Sequence, residues 1–164
     1  MNGKVYELGL KAVALLKENN MTVATAESCT GGLVSAYITA VPGTSSVFEL
    51  GITSYSCRIK NKILGVEGET LQRLGAVSRE TALQMAVNVR KSADSSIGVS
   101  VTGVAGPDGS EGHDPGLVYI AAAYDGGVQA EELNIEPLSR DYVRETAVYE
   151  IFKLIIKVIG ESKK

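Results

Sequence analysis

Apolar residues recur three or four positions apart in three long segments of the chain, over residues 3–18, 78–91 and 139–159. This spacing places the apolar side chains on one face of a helix, so all three segments are predicted to be amphipathic helices. Ser78 and Ser139 stand at the start of the second and third segments, where a serine hydroxyl can cap the first free backbone N–H groups. The pattern therefore predicts where these helices begin as well as the face that each one buries.

Shorter segments with β-branched and apolar residues alternate with these helices. They predict strands at Thr22–Ala26, Val47–Tyr55, Ile97–Thr102, Leu117–Tyr124 and Val128–Ile135. Short helices are predicted at Leu33–Ala40, Arg58–Leu64 and Glu69–Leu74. Residues 125–127, Asp-Gly-Gly, separate the last two strands and are typical of a hairpin turn. Helices that alternate with strands ahead of one late hairpin favour an α/β fold, with a mixed sheet covered on both faces.

The composition is that of a globular protein with one domain over residues 1–164. Hydrophobic residues are 45% and charged residues 21% of the chain, which excludes disorder and a coiled coil. No signal-peptide pattern is present, and Lys153 and Lys157 interrupt the last apolar segment, so we expect no membrane span. Cys29 and Cys57 form no CxxC pair, and His113 alone cannot complete a zinc site. We expect a cytoplasmic protein with free thiols and no metal or cofactor.

The charge and the aromatic content bear on the kind of partner. With 16 Lys and Arg against 19 Asp and Glu, the net charge is −3, so a broad basic surface for nucleic acid is not expected. The chain has 18 Gly, 2 Phe and no Trp, so it offers few rings for stacking against bases. Abundant glycine favours close approach of the backbone to a small polar ligand.

The first candidate site lies at residues 27–32, where a predicted strand ends and a helix begins. Ligands bind at the carboxyl ends of strands in open α/β sheets, and a helix N-terminus favours an anion such as a phosphate or an oxyanion. Ser28, Cys29 and Thr30 are side chains of nucleophilic type, and the two following glycines allow close approach. A helix N-cap at a tight turn explains the same residues, and both interpretations stay open. Of the three, Cys29 is better explained as a buried, inert thiol.

The second candidate site follows the strand that ends near Tyr55. Because the chain has one histidine, a Ser-Lys arrangement is the economical alternative to Ser-His-Asp, and Lys60 is the lysine placed for it. Such a base requires a pKa lowered by burial or by a nearby cation such as Arg58. The more usual meaning of Arg58, Lys60 and Lys62 is a solvated helix face.

The third candidate site is the glycine-rich loop that follows the predicted strand 97–102. Residues 102–109 combine glycines with a proline in a loop able to surround a small substrate, where Asp108 can orient a base or contact a ribose. An ordinary surface loop explains these residues equally well. Arg140 and Arg144 lie one helical turn apart and can grip a phosphate or carboxylate, although solvated charges are the commoner case.

In this order, these motifs resemble those of the CinA C-terminal domain family, whose characterised members are nicotinamide-nucleotide amidases of the PncC type. The match extends from about Thr22 to the final helix. The motifs are TAESCTGG at Thr25–Gly32, Ser54-Tyr55-Ser56, Lys60, Ile63-Leu64-Gly65-Val66, Gly75-Ala76-Val77-Ser78, VTGVAGPDG at Val101–Gly109, and Arg140 with Arg144. The amino-terminal domain of longer CinA proteins has no counterpart here, so the stand-alone form is expected.

The resemblance implies a three-layer α/β/α sandwich with a mixed sheet, and hydrolysis of nicotinamide mononucleotide to nicotinic acid mononucleotide and ammonia, as part of pyridine-nucleotide recycling. It implies Ser28 as the nucleophile, Lys60 as the base and Tyr55 as the third catalytic residue. The substrate pocket would be lined by Thr30, Gly31, Gly32, Thr102, Gly103, Ala105, Gly106, Arg140 and Arg144. Backbone N–H groups near Thr30–Gly32 or Gly103 would stabilise the oxyanion. The partner would be a small mononucleotide, and CinA-type domains are often homo-oligomers.

The chain departs from the family pattern beside Lys60. Members commonly read Thr-Tyr-Ser-Asn-Glu-Ala-Lys, whereas Cys57 and Arg58 replace the asparagine and the acid here. A second difference is Asp114-Pro115-Gly116-Leu117-Val118, where members often have Pro-Val-Gly-Thr-Val. These differences leave an alternative open, a nucleotide-binding or competence- and damage-associated interaction module without catalysis.

Overall fold

The computed structural model of the chain describes residues 1–162 and contains a five-stranded sheet with helices on both faces. The strands are β1 Val23–Glu27, β2 Phe48–Thr53, β3 Ile97–Gly103, β4 Leu117–Tyr124 and β5 Gly127–Asn134. The helices are α1 Gly3–Glu18, α2 Leu33–Thr39, α3 Cys57–Leu64, α4 Gly68–Leu74, α5 Arg79–Ala93 and α6 Arg140–Glu161. The sheet order is β2-β1-β3-β4-β5. The predicted three-layer α/β/α sandwich with a mixed sheet is confirmed.

The elements agree with the hydrophobic pattern, with small differences at their ends. Ser78 and Ser139 are the N-caps of α5 and α6, as predicted. The strand predicted to reach Tyr55 ends at Thr53, because Ser56 accepts a hydrogen bond from the Ile59 N–H and begins α3. A short 3₁₀ helix at Thr44–Ser46 was not predicted. The prediction of one domain over 1–164 stays a prediction, and residues 163–164 lie outside the described part.

Successive side chains of each strand point to opposite faces of the sheet, so the hydrophobic core has one layer on each face. In β3, Ile97, Val99 and Val101 face a large cluster with α1, α2 and α6. The opposite face packs against α5, with α3 and α4 beside it. Gly98 permits this close packing, because a Cβ there would lie 2.3 Å from the Ala86 carbonyl oxygen. No helix within residues 1–162 is both long enough and apolar enough to cross a membrane.

The topology brings three loops to one edge of the sheet. Strands β2, β1 and β3 are adjacent and parallel, so their carboxyl ends lie side by side. The loop after β1 carries Ser28, the segment after β2 carries Tyr55 and leads into α3, and β3 leads into the glycine-rich loop. Strand β4 runs antiparallel to β3 and therefore begins at the same edge. The three candidate sites of the sequence thus meet at the carboxyl ends of the parallel strands.

Candidate functional site

A serine from the loop after β1 and a lysine from α3 form a buried pair at this edge. Lys60 Nζ lies 2.8 Å from Ser28 Oγ, although 32 positions separate the two residues in the chain. Ser28 is 8% and Lys60 0% exposed. The β1–β2 pairing brings the Ser28 loop close to the start of α3, and the Ser54 N–H donates to the Glu27 carbonyl where the strands end.

The surroundings of Lys60 favour an uncharged amine. Nζ also donates to the carbonyl oxygens of Ser54, at 2.8 Å, and Tyr55, at 3.2 Å. Burial is the largest cause of a lowered pKa for Lys60, and weaker interactions with Cys57, Cys29 and Glu111 raise it. The expectation of a solvated helix face is therefore wrong for Lys60. Arg58 and Lys62 are exposed, and burial, not the neighbouring cation, accounts for the lowered pKa.

The hydrogen bonds of Lys60 match those of a general base. A neutral amine has two N–H donors and one lone pair. The Ser54 and Tyr55 carbonyls are the natural acceptors for the two donors. Ser28 Oγ lies at 2.8 Å and accepts from Nζ while the amine is protonated; once the amine is neutral, its lone pair faces Oγ and the hydroxyl donates its proton to it. A serine beside an amine of lowered pKa is an activated nucleophile.

The Glu27 carboxylate occupies the N-terminus of α2. It accepts hydrogen bonds from the Thr30 hydroxyl at 2.7 Å, from the backbone N–H groups of Gly32, Val34 and Ser35 at 2.9–3.0 Å, and from the Ser35 hydroxyl at 2.8 Å. Glu27 is 1% exposed. For the N–H groups of Gly32, Val34 and Ser35, the expectation of a bound phosphate or oxyanion is therefore wrong, because a side chain of the protein already binds them.

Replacing Glu27 by alanine is expected to lower the free energy of unfolding by about 3 kcal/mol, because buried N–H groups lose a charged acceptor. Chemical denaturation measures the change. Glu49→Ala is the matched control, since Glu49 is an exposed acid on β2 and its removal should change stability by less than about 0.5 kcal/mol. Equal stabilities of the two variants would show that the carboxylate does not hold this turn.

A cavity of about 170 Å³ opens beside the Ser-Lys pair. Its lining includes Ser28, Cys29, Tyr55, Arg140 and much of the glycine-rich loop, among them the predicted pocket residues Thr102, Gly103, Ala105 and Gly106. Thr102 is fixed there, since its hydroxyl donates to the Ala76 carbonyl at 2.7 Å.

Three predicted pocket residues lie outside the lining of this cavity. Thr30 is buried and bound to Glu27, so its hydroxyl serves the turn and not a ligand. Gly31 and Gly32 adopt positive φ angles of 62° and 95°, which a residue with a side chain rarely adopts, and so shape the turn into α2. All three residues therefore stabilise the turn between Ser28 and α2.

Arg140, at the start of α6, connects two walls of the cavity. Its Nη1 donates to the Gly106 carbonyl at 2.6 Å and its Nη2 to the Tyr55 hydroxyl at 2.9 Å. The Tyr55 hydroxyl therefore contacts Arg140, while the Tyr55 carbonyl contacts Lys60. Arg144 lies outside the cavity lining. Its Nη2 donates to the Thr30 carbonyl at 2.8 Å and so stabilises the loop that carries Ser28.

Cys29 is adjacent to Ser28 in the chain but is unsuited to nucleophilic attack. It is 5% exposed, and burial raises the pKa of its thiol to about 12. The thiolate is the reactive form of cysteine, so this side chain stays protonated at neutral pH. Among residues 1–162, no three His, Cys, Asp or Glu side chains lie close enough together to hold a metal ion.

Two acids at the site were not singled out by the sequence. The sequence did contain an indication for Glu27, because this acid ends an apolar strand and precedes a Ser-x-Thr segment. The sequence contained no comparable indication for Glu111. It adopts a left-handed φ of 53°, lines the cavity, and accepts a hydrogen bond from the Val77 N–H at 3.1 Å. Only the folded loop brings it to the segment before α5.

Comparisons with known proteins show the family of the chain. The family model described as the CinA C-terminal domain matches residues 6–159. A competence-damage inducible protein of Acetivibrio thermocellus is 48% identical over 158 residues, covering 96% of this chain and 38% of the relative. The chain thus spans about two-fifths of the length of that curated relative.

Solved structures have the same fold over nearly the whole chain. The competence/damage inducible protein of Agrobacterium tumefaciens is 35% identical with a TM-score of 0.92, covering 98% of both chains. A competence-damaged protein (CinA) superfamily protein of Enterobacter cloacae is 34% identical with a TM-score of 0.89, covering 93% of this chain and 91% of that one.

Proposed function

The chain belongs to the CinA C-terminal domain family, and from this premise we propose that it hydrolyses the carboxamide of nicotinamide mononucleotide to give nicotinic acid mononucleotide and ammonia. The observation that carries the proposal is the 2.8 Å contact between Lys60 Nζ and Ser28 Oγ at the wall of a cavity. The buried amine supplies the base, the hydroxyl supplies the nucleophile, and the cavity receives the amide.

The first half of the reaction forms an acyl-enzyme. Neutral Lys60 takes the proton of Ser28 as Oγ attacks the carboxamide carbon, and the carbonyl oxygen becomes an oxyanion. When this tetrahedral intermediate collapses, the C–N bond breaks and the Lys60 ammonium gives its proton to the departing nitrogen, which leaves as ammonia. An ester joins Ser28 to the acyl group, and Lys60 is neutral again.

The second half releases the acid. Lys60 takes a proton from a water molecule, whose oxygen attacks the ester carbon. The bond to Ser28 Oγ breaks, and Oγ recovers its proton from Lys60. The carboxylic acid leaves, and Lys60 and Ser28 return to the neutral pair that begins the next cycle.

Backbone N–H groups beside Ser28 are available to stabilise the oxyanion. Of the groups predicted for this role, the Gly31 N–H donates to the Ser28 carbonyl and the Gly32 N–H to Glu27. Within residues 1–162, the N–H groups of Cys29 and Thr30 donate to no backbone carbonyl. Of the two, Cys29 lines the cavity and Thr30 does not, so we assign the oxyanion to the Cys29 N–H, since a fixed donor needs no reorganisation as charge develops.

Arg140 suits the anionic end of the substrate. Two of the five N–H donors of its guanidinium contact Gly106 and Tyr55, which leaves donors for a phosphate. Tyr55, the proposed third catalytic residue, is 64% exposed and its hydroxyl is held by Arg140. Its proposed role is therefore at the mouth of the cavity, with its backbone carbonyl orienting Lys60.

The proposal is tested by incubating the protein with nicotinamide mononucleotide and measuring ammonia and nicotinic acid mononucleotide. We expect equimolar amounts of both products and multiple turnovers. Lys62→Ala is a matched control, since it removes an exposed cation from the helix that carries Lys60 and should leave the rate within about twofold. Binding of the mononucleotide without either product would favour the non-catalytic nucleotide-binding module instead.

The names of the relatives are compatible with this proposal. They describe a competence-damage inducible protein, which states a condition of expression and specifies no reaction. An interaction role in competence or damage is therefore the second candidate function. A hydrolase that uses the Ser28–Lys60 pair is equally compatible with the names of the relatives.

A further inference from the structure

The turn from β1 into α2 carries Ser28, and three backbone contacts hold its first half. The Ser28 N–H donates to the Val101 carbonyl on β3 at 3.0 Å, and the Gly31 N–H donates to the Ser28 carbonyl at 3.0 Å. The Thr30 carbonyl accepts from the Arg144 guanidinium at 2.8 Å. The start of the turn is therefore attached to the sheet, and its middle is attached to α6.

Two glycines separate this part of the turn from α2. Gly31 and Gly32 have φ angles of 62° and 95°. Glycine adopts these angles readily, but it adopts many others as well, so a pair of glycines does not by itself hold one conformation. Another group must therefore fix the orientation of the turn relative to the helix.

The Glu27 carboxylate links the turn to α2 across the glycines. Its Oε2 accepts from the Thr30 hydroxyl at 2.7 Å and from the Gly32 and Val34 N–H groups at 3.0 Å. Its Oε1 accepts from the Ser35 N–H at 2.9 Å and from the Ser35 hydroxyl at 2.8 Å. A buried carboxylate is costly unless its oxygens are fully hydrogen-bonded, so these donors hold it in one position.

Glu27 can act on the reaction only through its neighbours. It is 1% exposed and lies outside the cavity lining, so it does not touch a bound substrate. The next residue is Ser28, whose Oγ lies 2.8 Å from Lys60 Nζ. The Cys29 N–H, to which the oxyanion is assigned, follows in the same turn. A displacement of about 1 Å at such groups costs about 10²-fold in rate.

We propose that Glu27 is a positioning residue for the nucleophile, because its carboxylate holds the turn in the orientation that aligns Ser28 Oγ with Lys60 and the Cys29 N–H with the cavity. The inference rests on the proposed amide hydrolysis and adds to it a residue that does not touch the substrate. It requires that Glu27 affect the chemical step and leave substrate binding unchanged.

Two substitutions of Glu27 test this requirement. Glu27→Asp keeps the charge and both oxygens but shortens the side chain by one methylene, whereas Glu27→Gln keeps the length and one acceptor oxygen. With nicotinamide mononucleotide, we expect kcat to fall about 10²-fold for Glu27→Asp and about tenfold for Glu27→Gln, each with KM within about threefold of wild type. Glu49→Asp is the matched control, since it shortens an exposed acid on β2 and should change neither constant.

A second pair of variants keeps Glu27 and therefore decides the question even where its replacement prevents folding. Thr30→Val removes the hydroxyl donor on the turn, and Ser35→Ala removes the hydroxyl donor within α2. Each variant removes one hydrogen bond from the carboxylate, so similar losses of stability are expected. Only Thr30→Val releases the turn itself, and we expect it to lower kcat about tenfold, against less than about threefold for Ser35→Ala. Equal effects on kcat would show a purely structural role and overturn the inference, as would a raised KM with an unchanged kcat.

A chemical probe separates this inference from its premise. Phenylmethylsulfonyl fluoride labels an activated serine: Oγ forms a bond to sulfur, fluoride leaves, and the Ser28 proton passes to Lys60. The rate of labelling at Ser28, followed by mass spectrometry, should fall in Glu27→Asp and Thr30→Val as kcat does. Slower labelling of these variants, without ammonia release by the wild-type protein, would support the positioning role and overturn the hydrolysis. Ammonia release that both variants leave unchanged would retain the hydrolysis and overturn the positioning role.

Discussion

Replacing Ser28 by alanine should lower kcat for ammonia release by at least about 10⁴-fold, because no acyl-enzyme can form without the Oγ nucleophile. Binding of the mononucleotide should change little, since Oγ contributes to the chemical step more than to affinity. The measurement is steady-state ammonia release together with calorimetric binding. Ser45→Ala is the matched control, since it removes an exposed serine hydroxyl on the 3₁₀ helix, outside the cavity lining.

The adjacent cysteine gives a second comparison. Cys29→Ala should retain activity within about tenfold, because burial raises the pKa of its thiol to about 12 and keeps it out of the reaction. Wild-type turnover by Ser28→Ala combined with its loss in Cys29→Ala would reverse the assignment. That result would make the thiol the nucleophile.

Replacing Lys60 by arginine should lower kcat by about 10³-fold or more, as should replacement by methionine. Arginine keeps the positive charge and much of the length of the side chain but does not lose its proton in proteins, so it cannot act as a base. Methionine keeps the bulk without the amine. If Lys60 served only as a cation for the oxyanion, arginine would restore activity that methionine lacks. Initial rates of the two variants therefore separate the two roles.

The pH dependence of the wild-type rate should follow the same amine. Burial lowers the pKa of Lys60 from 10.5, and the neutral form is the active one. The rate should therefore rise with pH through the lowered pKa of Lys60 and level off before 10.5. A rate that falls as pH rises through this range would contradict a lysine base. The profile is measured as kcat between neutral and alkaline pH, with folding monitored by circular dichroism.

The elements of the fold were predictable because the information for them is local. Ser78 and Ser139 mark the starts of α5 and α6, and Asp125 with Gly126 joins β4 to β5 in a two-residue turn. Each of these features depends on side chains a few positions apart. The differences occur where one residue serves two elements, as Ser56 does in ending the extended segment after β2 and capping α3.

The candidate site was harder to predict from the sequence than the fold, because its contacts join residues that are distant in the chain. The pairing of Ser28 with Lys60 followed from family resemblance, since nothing in the spacing of 32 positions indicates a contact. Lys60 stands between two exposed cations and so resembled a solvated position. Leu64 could have indicated that Lys60 is buried, because an apolar residue four positions later lies on the same helical face; both side chains are buried in the structure. Burial, which turns this lysine into a base, is a property of the folded chain.

The burial of Lys60 also links folding to proton release. In the unfolded chain this amine holds its proton up to about its ordinary value of 10.5, whereas in the folded chain its pKa is lower. Between those two values the unfolded state binds more protons, so stability rises with pH in that interval. Below the folded value both states hold the proton, and the folded state bears the full cost of a buried ammonium. Folding within that interval therefore transfers a proton from Lys60 to the solvent. The burial that destabilises the protonated folded state also leaves the amine able to accept the proton of Ser28.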